Sequence, residues 1–339
     1  MDERNGRRRG KRPSNASGKR SRSAGLAAAA LAFLLGFSLT MALSYPARSL
    51  RIRAENDSLA RERERMRTEE GGASETPEPA PTEGKPADEE PGAAGDAAPA
   101  EEAEMPGAEP KAPGGIPASR KTARRVYHRM DTAALPEMAA LRERNRDLVG
   151  WLRIEGVLDL PVVWRDNQYY LDHGFDGRKN EAGTLFLDEY HRFSEETANL
   201  LIHGHNRKDG SMFGRLVHYL DADYLKRHPI LWFDTLWERE RYAIIAVIRV
   251  TMEDGTASFD YLGHARFESD GEYERFVREA QLASEHAIPV GAEPGDALLS
   301  LSTCLDRDRL VILARRFRGG ETEARIRSLT AETLTGVRR

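Results

Sequence analysis

Eight short apolar runs, each closed by a turn, fill the second half of the chain and leave few choices of fold. They are GWLRI (Gly150–Ile154), LPVV (Leu160–Val163), GTLFL (Gly183–Leu187), NLLIH (Asn199–His203), ILWFD (Ile230–Asp234), RYAIIAVIRVTM (Arg241–Met252), ALLSLSTC (Ala297–Cys304) and LVILARRF (Leu310–Phe317). Most are too short for an ordinary helix, and all favour the aliphatic and β-branched residues that suit a pleated surface. Gly, Asp, Asn and charged residues separate them, as turns require. Eight such strands predict a mainly β fold, with the sheet closed into a barrel so that no edge is left unpaired. Two helical signals interrupt them. Thr132–Asp147 precedes the first strand with Asp131 as its N-cap. Asp270–His286 carries Tyr273, Phe276, Val277, Ala280 and Ala283 at helical spacing, a packing face between the sixth and seventh strands.

Upstream of the barrel the composition changes abruptly. Residues 1–23 hold nine Lys and Arg against two acidic residues, and 24–45 then run for 22 residues without a charge. At about 1.5 Å per residue that run covers a hydrocarbon core of roughly 30 Å. It is longer than the apolar region of a cleaved signal peptide, so a retained anchor is the favoured reading. The basic flank places the N-terminus in the cytoplasm and the rest of the chain outside, as a single-pass membrane protein. Residues 46–70 are dense in Arg and Glu, with Ile52, Leu59 and Met66 seven apart, and read as a helical stalk. Residues 71–118 form a Pro-, Ala- and Glu-rich linker. Its stretch 71–117 has eleven acidic residues, two lysines and no aromatic, too little apolar surface to offset the entropy of ordering. As a flexible coil it would span about 40 Å. The folded domain is then 119–318, and 319–339 reads as a polar, frayed tail.

The chemistry concentrates at strand ends. The stretch NLLIHGHN ends a strand with His203 and His205, two apart, and LLSLSTC delivers the one cysteine of the chain, Cys304, from the end of another. Two histidines do not make a metal site, since zinc takes three or four ligands and no second paired spacing exists. No metal is therefore assigned. A thiol, an imidazole and a guanidinium (Arg309 opens the last strand) can meet at one barrel rim. Such a trio supports acyl transfer: a thiolate attacks a carbonyl, imidazole moves the proton of an amine, and guanidinium holds the negative charge on oxygen. Arg307, nearer to the cysteine, is the alternative arginine. Asp306 is a turn aspartate or an orienting acid for His205. Asn206 holds the turn or lines a groove, and Asp166 and Asn167 are turn residues bonding local backbone. No basic patch interleaved with aromatics points to nucleic acid.

The order of these pieces resembles the sortases, class B in particular. STC ends a strand as in the family's Thr-Leu-x-Thr-Cys strand, and IHGHN with DGSMF is similar to its Gly-His-Asn stretch. Between Val149 and Asp188 the Gly-Trp-Leu, Pro-Val-Val, Asp-Asn-x-Tyr-Tyr-Leu and Gly-Thr-Leu-Phe-Leu-Asp pieces follow in order, and the resemblance covers about Leu135–Phe317. It implies an eight-stranded sortase barrel with class B helices and a membrane-anchored cysteine transpeptidase that needs no cofactor. By position it assigns Cys304 as nucleophile, His205 as general acid/base and Arg309 to the oxyanion and substrate alignment. His203 stands where the family usually has tyrosine. The partners implied are secreted proteins bearing a C-terminal sorting signal and a cell-wall precursor amine. A pilin lysine as the amine, or an inactive surface module on the same fold, are the alternatives.

Overall fold

The computed structural model describes residues 46–69, 133–190, 197–253 and 256–336. The predicted basic tail, the 24–45 span, the 71–118 linker and the Asp131 cap lie outside them. Among the described residues no helix is long and apolar enough to cross a membrane. Contacts divide the chain into Met1–Glu55 and Asn56–Arg339. Of the first unit, 46–55 are helical, with Ser49 and Ile52 buried.

In the second unit a closed eight-stranded barrel forms, as the apolar runs require. Its strands are β1 (Leu148–Ile154), β2 (Leu158–Val163), β3 (Leu185–Leu187), β4 (Asn199–His203), β5 (Ile230–Thr235), β6 (Arg239–Val250), β9 (Leu298–Leu305) and β10 (Asp308–Arg316), in the order β1-β2-β3-β4-β9-β10-β6-β5. A small ribbon of β7 (Met252–Glu253) and β8 (Thr256–Ala257) stands apart. Two pairings are parallel, β2 with β3 and β4 with β9. Parallel neighbours need crossovers rather than hairpins, which is why long segments join β2 to β3 and β4 to β9. Because β4 runs alongside β9, both strands end at the same rim, and the antiparallel β10 starts there. Leu152, Leu185, Leu187, Phe233 and Tyr242 are among the fully buried side chains.

Both predicted helices exist, and both are shorter than their sequence patterns. The first, α2, is Pro136–Arg144. Pro136 sits at its first position, where a missing N–H costs nothing, and proline pushes Leu135 to extended backbone, so the helix starts there rather than at Thr132. The later helix, α4 (Asp270–Leu282), is capped by Ser269, whose side chain accepts from the Glu272 N–H. Tyr273, Phe276, Val277 and Ala280 are buried as expected, but Ala283 is exposed at the C-cap. The chain then leaves helical geometry because Ser284 pairs with β6, its Oγ accepting from Val247 N–H at 3.0 Å.

Two expectations are corrected. Residues 46–69 are helical (α1), but 56–69 do not stand off as a stalk: Leu59, Ala60 and Met66 pack against the cluster built on Met138, Leu148, Trp151 and Leu236. Arg63, 2% exposed, pairs with Asp234, lies 3.9 Å from Asp159 and sits 5.1 Å over the Trp151 ring. Glu62 meets Arg144 of α2 at 2.5 Å. The C-terminal segment is not frayed either. It forms α5 (Glu323–Gly336), held by the fully buried Ile326 and by Arg327, which bonds Glu155 and the carbonyl of Arg227 in α3 (Ala222–Arg227). With Thr330 also buried one turn on, a stripe this narrow gives little sequence signal.

Candidate active site

The site assembles where β4 and β9 end and β10 begins. Leu305 and Asp308 pair across a hairpin whose tip is Asp306 and Arg307, and Asp306 takes a left-handed φ of 53°, which aspartate tolerates better than most residues. This tight turn puts Arg309 directly opposite Cys304. The Arg309 Nη1 donates to Cys304 Sγ at 2.6 Å, and the thiol is exposed at the rim. Arg307 and Asp306 both lie exposed in the turn. The register therefore separates the two candidate arginines and leaves the Asp306 carboxylate at the hairpin tip.

His205 arrives from the other side. The β4–β9 ladder ends at His203 and Ser302, and Gly204 N–H continues it by donating to the Ser302 carbonyl at 3.2 Å. A side chain at 204 has no room: a Cβ there would lie 2.4 Å from Leu185 and 2.8 Å from Phe213. The His205 imidazole then donates from Nε2 to the carbonyl of Leu171 at 2.7 Å, because a carbonyl can only accept. That carbonyl belongs to a 3-10 turn, Tyr169–Leu171, in the β2–β3 crossover. Nε2 is thereby engaged and Nδ1 is the ring position left to exchange a proton. No hydrogen bond joins His205 to the Cys304 thiol among the described residues; instead the Asn206 side-chain amide donates to the Cys304 carbonyl at 2.8 Å. The position of Asn206 immediately after the histidine was the sequence signal for this contact, but its direction needed the fold.

His203 turns elsewhere. Its Nε2 meets Asp188 Oδ2 at 2.9 Å, and its ring lies 5.3 Å from Phe186, its cross-strand partner in β3. Asp188 also accepts from Asn167 Nδ2 at 3.0 Å and from Tyr190 N–H at 3.0 Å. Burial pushes this carboxyl up, but the bonds from His203, Tyr190 and Asn167 outweigh it and hold Asp188 below the usual carboxylate range. Asn167 is thus no local turn residue, since it bridges to Asp188 and to Glu189 N–H; Asp166 is one, accepting from Gln168 and Tyr169 N–H. The two histidines, two apart in sequence, have separate partners and do not converge on a shared point.

A thiol beside a guanidinium, with an imidazole one residue before the asparagine that bonds the thiol's own peptide, is an arrangement for attack on a carbonyl and stabilisation of the resulting oxyanion. No family model matches the sequence. The chain is 32% identical to sortase B of Listeria monocytogenes over 183 residues, 52% of this chain and 72% of that one. It is 27% identical to sortase B of Staphylococcus aureus over 187 residues, 53% and 74% of the two chains. Among solved structures, the Bacillus anthracis sortase B in complex with AAEK2 matches with a TM-score of 0.51 at 29% identity, covering 58% of this chain and 94% of that one. A B. anthracis protein described as similar to sortase B matches at 0.50 and 31%, covering 58% and 92%. An S. aureus sortase B–substrate complex shares the fold, with a TM-score of 0.50 at 24% identity, covering 59% and 94%. The eight-stranded barrel, the strand-end cysteine and these relatives converge: the chain belongs to the sortase B family of cysteine transpeptidases.

Proposed function

We propose that this transpeptidase cleaves a C-terminal sorting signal of secreted proteins after a threonine and transfers the acyl group to a cell-wall precursor amine. The 24–45 span would hold it in the membrane with the barrel outside, as is typical of sortases. The reading rests on one contact above all, the Arg309 guanidinium 2.6 Å from the Cys304 sulfur. A fixed positive charge there serves both the sulfur and the carbonyl oxygen that the sulfur attacks.

In this mechanism the Cys304 proton passes to His205, and the sulfur bonds to the threonine carbonyl carbon. The tetrahedral oxyanion faces Arg309. The C–N bond then breaks, the leaving amine takes the proton from His205, and a thioester remains on Cys304. An incoming amine attacks the thioester, gives its proton to His205 and releases the sulfur. The half-exposed Leu262, next to the buried Tyr261 whose hydroxyl accepts from Ser302 Oγ two residues before the nucleophile, offers an apolar contact for an extended signal peptide of the Leu-Pro-x-Thr-Gly or Asn-Pro-x-Thr-x kind. Leu171, also exposed and carrying the carbonyl that holds His205, offers another.

The test is mass spectrometry of the protein incubated with a library of signal peptides. A thioester adduct on Cys304, truncated after threonine and absent from Cys304→Ala, is the expected result. Peptide cleavage that persists in Cys304→Ala would sink the mechanism. Offering the preformed adduct a wall-precursor amine or a lysine peptide then distinguishes wall anchoring from polymerisation of pilins.

A further inference from the structure

We propose that Asn206 is a positioning residue of the transfer reaction: its side-chain amide, donating to the main-chain carbonyl of Cys304, sets the separation between the nucleophile and His205. The inference rests on Cys304 and His205 being the reacting pair. Three links extend the β4–β9 contact past the end of its ladder. Gly204 N–H reaches Ser302, Thr303 Oγ1 donates to the Gly204 carbonyl at 2.7 Å, and Asn206 Nδ2 donates to the Cys304 carbonyl at 2.8 Å. Only the last of these joins the residue after the histidine to the cysteine itself.

The donor is aimed by a braced loop. Phe213 N–H donates to the His205 carbonyl at 3.0 Å, and Asn206 and Met212 face each other in an isolated bridge. Within the loop, Asp209 accepts from Ser211 N–H and Oγ and pairs with Arg207. Met212 takes a left-handed φ of 51°, a conformation that persists in a non-glycine residue only where its surroundings over-determine it. The loop is thus braced as one piece, and the Asn206 amide is the bond by which that piece is registered on Cys304.

Asn206 is exposed, so water could satisfy its amide and the Cys304 carbonyl equally well. The bond then contributes little to stability, and its consequence is geometric. On the other flank Cys304 is fixed by its register with Arg309. Without Asn206 the histidine side of the site would be free to drift while the arginine side stayed in place.

The experiment uses the full-length chain and single-turnover formation of the thioester adduct with one signal peptide. Asn206→Asp keeps the shape but cannot donate to a carbonyl once ionised. A misplacement of reacting groups by about 1 Å can cost 100-fold, so a smaller drift here is expected to slow acylation about tenfold in Asn206→Asp and Asn206→Ala alike. KM and melting temperature stay near wild type, and Asn206→Gln, which retains the donor, recovers part of the rate. Wild-type acylation in Asn206→Asp overturns the proposal. So does a rise in KM at unchanged kcat, which would make Asn206 a substrate contact, or a loss of melting temperature that accounts for the rate. Cys304→Ala run in parallel separates the cases: adduct chemistry surviving there removes the underlying reading, not the role of Asn206 alone.

Discussion

Arg309 and Cys304 face each other across one hairpin, guanidinium nitrogen 2.6 Å from sulfur, because only two residues form the turn between their strands. The pairing makes the two nearby arginines unequal. Arg309→Ala removes the charge that the proposed mechanism sets against the oxyanion and is expected to slow acylation by roughly 100- to 1,000-fold, the usual cost of one such donor. Arg309→Lys keeps a charge without the planar fork and should fall between. Arg307→Ala, at the hairpin tip, should stay within about twofold by the same single-turnover measurement, as a solvent-exposed substitution does. Equal losses at 307 and 309 would reverse the assignment.

The two histidines should separate just as clearly. His205→Ala is expected to cut transpeptidation by about 100- to 10,000-fold, the contribution of the acid/base role proposed for it. His203→Tyr should be nearly neutral in rate, because His203 bonds Asp188 rather than the site and a tyrosine hydroxyl can also donate to that carboxylate. His203→Ala leaves Asp188 with Asn167 and the Tyr190 N–H and should lower stability by about 1–2 kcal/mol with activity per folded molecule retained. Peptide turnover and thermal melting on the three variants check this.

Much of the barrel is legible in the sequence because burial imposes apolar runs, and β4 matches its run residue for residue. The Cys304–Arg309 pairing is nearly legible too, since five residues between an apolar strand end and the next strand start leave room for little but a tight hairpin. What the sequence conceals is long-range and polar. Asn167 looks like a turn residue until the β2–β3 crossover carries it to Asp188. The docking of 56–69 is hidden because its most buried contact is an arginine, and Leu59 and Met66 alone make too thin a stripe to predict a packed face. Ile326 conceals α5 for the same reason.

Asp188 gives the protein a specific acid sensitivity. Its folded carboxyl titrates below its unfolded value, so the folded state binds the proton less tightly than the unfolded state does. The resulting stabilisation is fully present above the unfolded carboxylate value of about 3.9 and is lost as pH falls through the lower, folded one. Asp188→Asn should abolish that part of the decline. Urea unfolding from neutral pH down into the acid range should show a shallower fall in the variant than in wild type, and parallel curves would contradict the assignment.

Arg63 should prove the most costly single loss in the packing of α1. It is 2% exposed, pairs with Asp234, and lies over Trp151. Removing one partner of a buried pair strands the other, typically at 3–5 kcal/mol, so Arg63→Ala is expected to lose stability on that scale. The double variant Arg63→Ala with Asp234→Ala should lose less than the sum of the singles, since no charge is then left buried. The loss should also depend on pH. Burial already raises the Asp234 carboxyl despite the attraction of Arg63. Without the arginine it rises further, so the folded state binds that proton more tightly than the unfolded state and stability falls as pH increases. Arg63→Ala should therefore be more damaging at neutral pH than in mild acid, where Asp234 protonates. Unfolding of the full chain, followed by tryptophan fluorescence at the two pH values, measures this directly; a pH-independent deficit would mean that Arg63 acts through its contact with Trp151 and not through its charge.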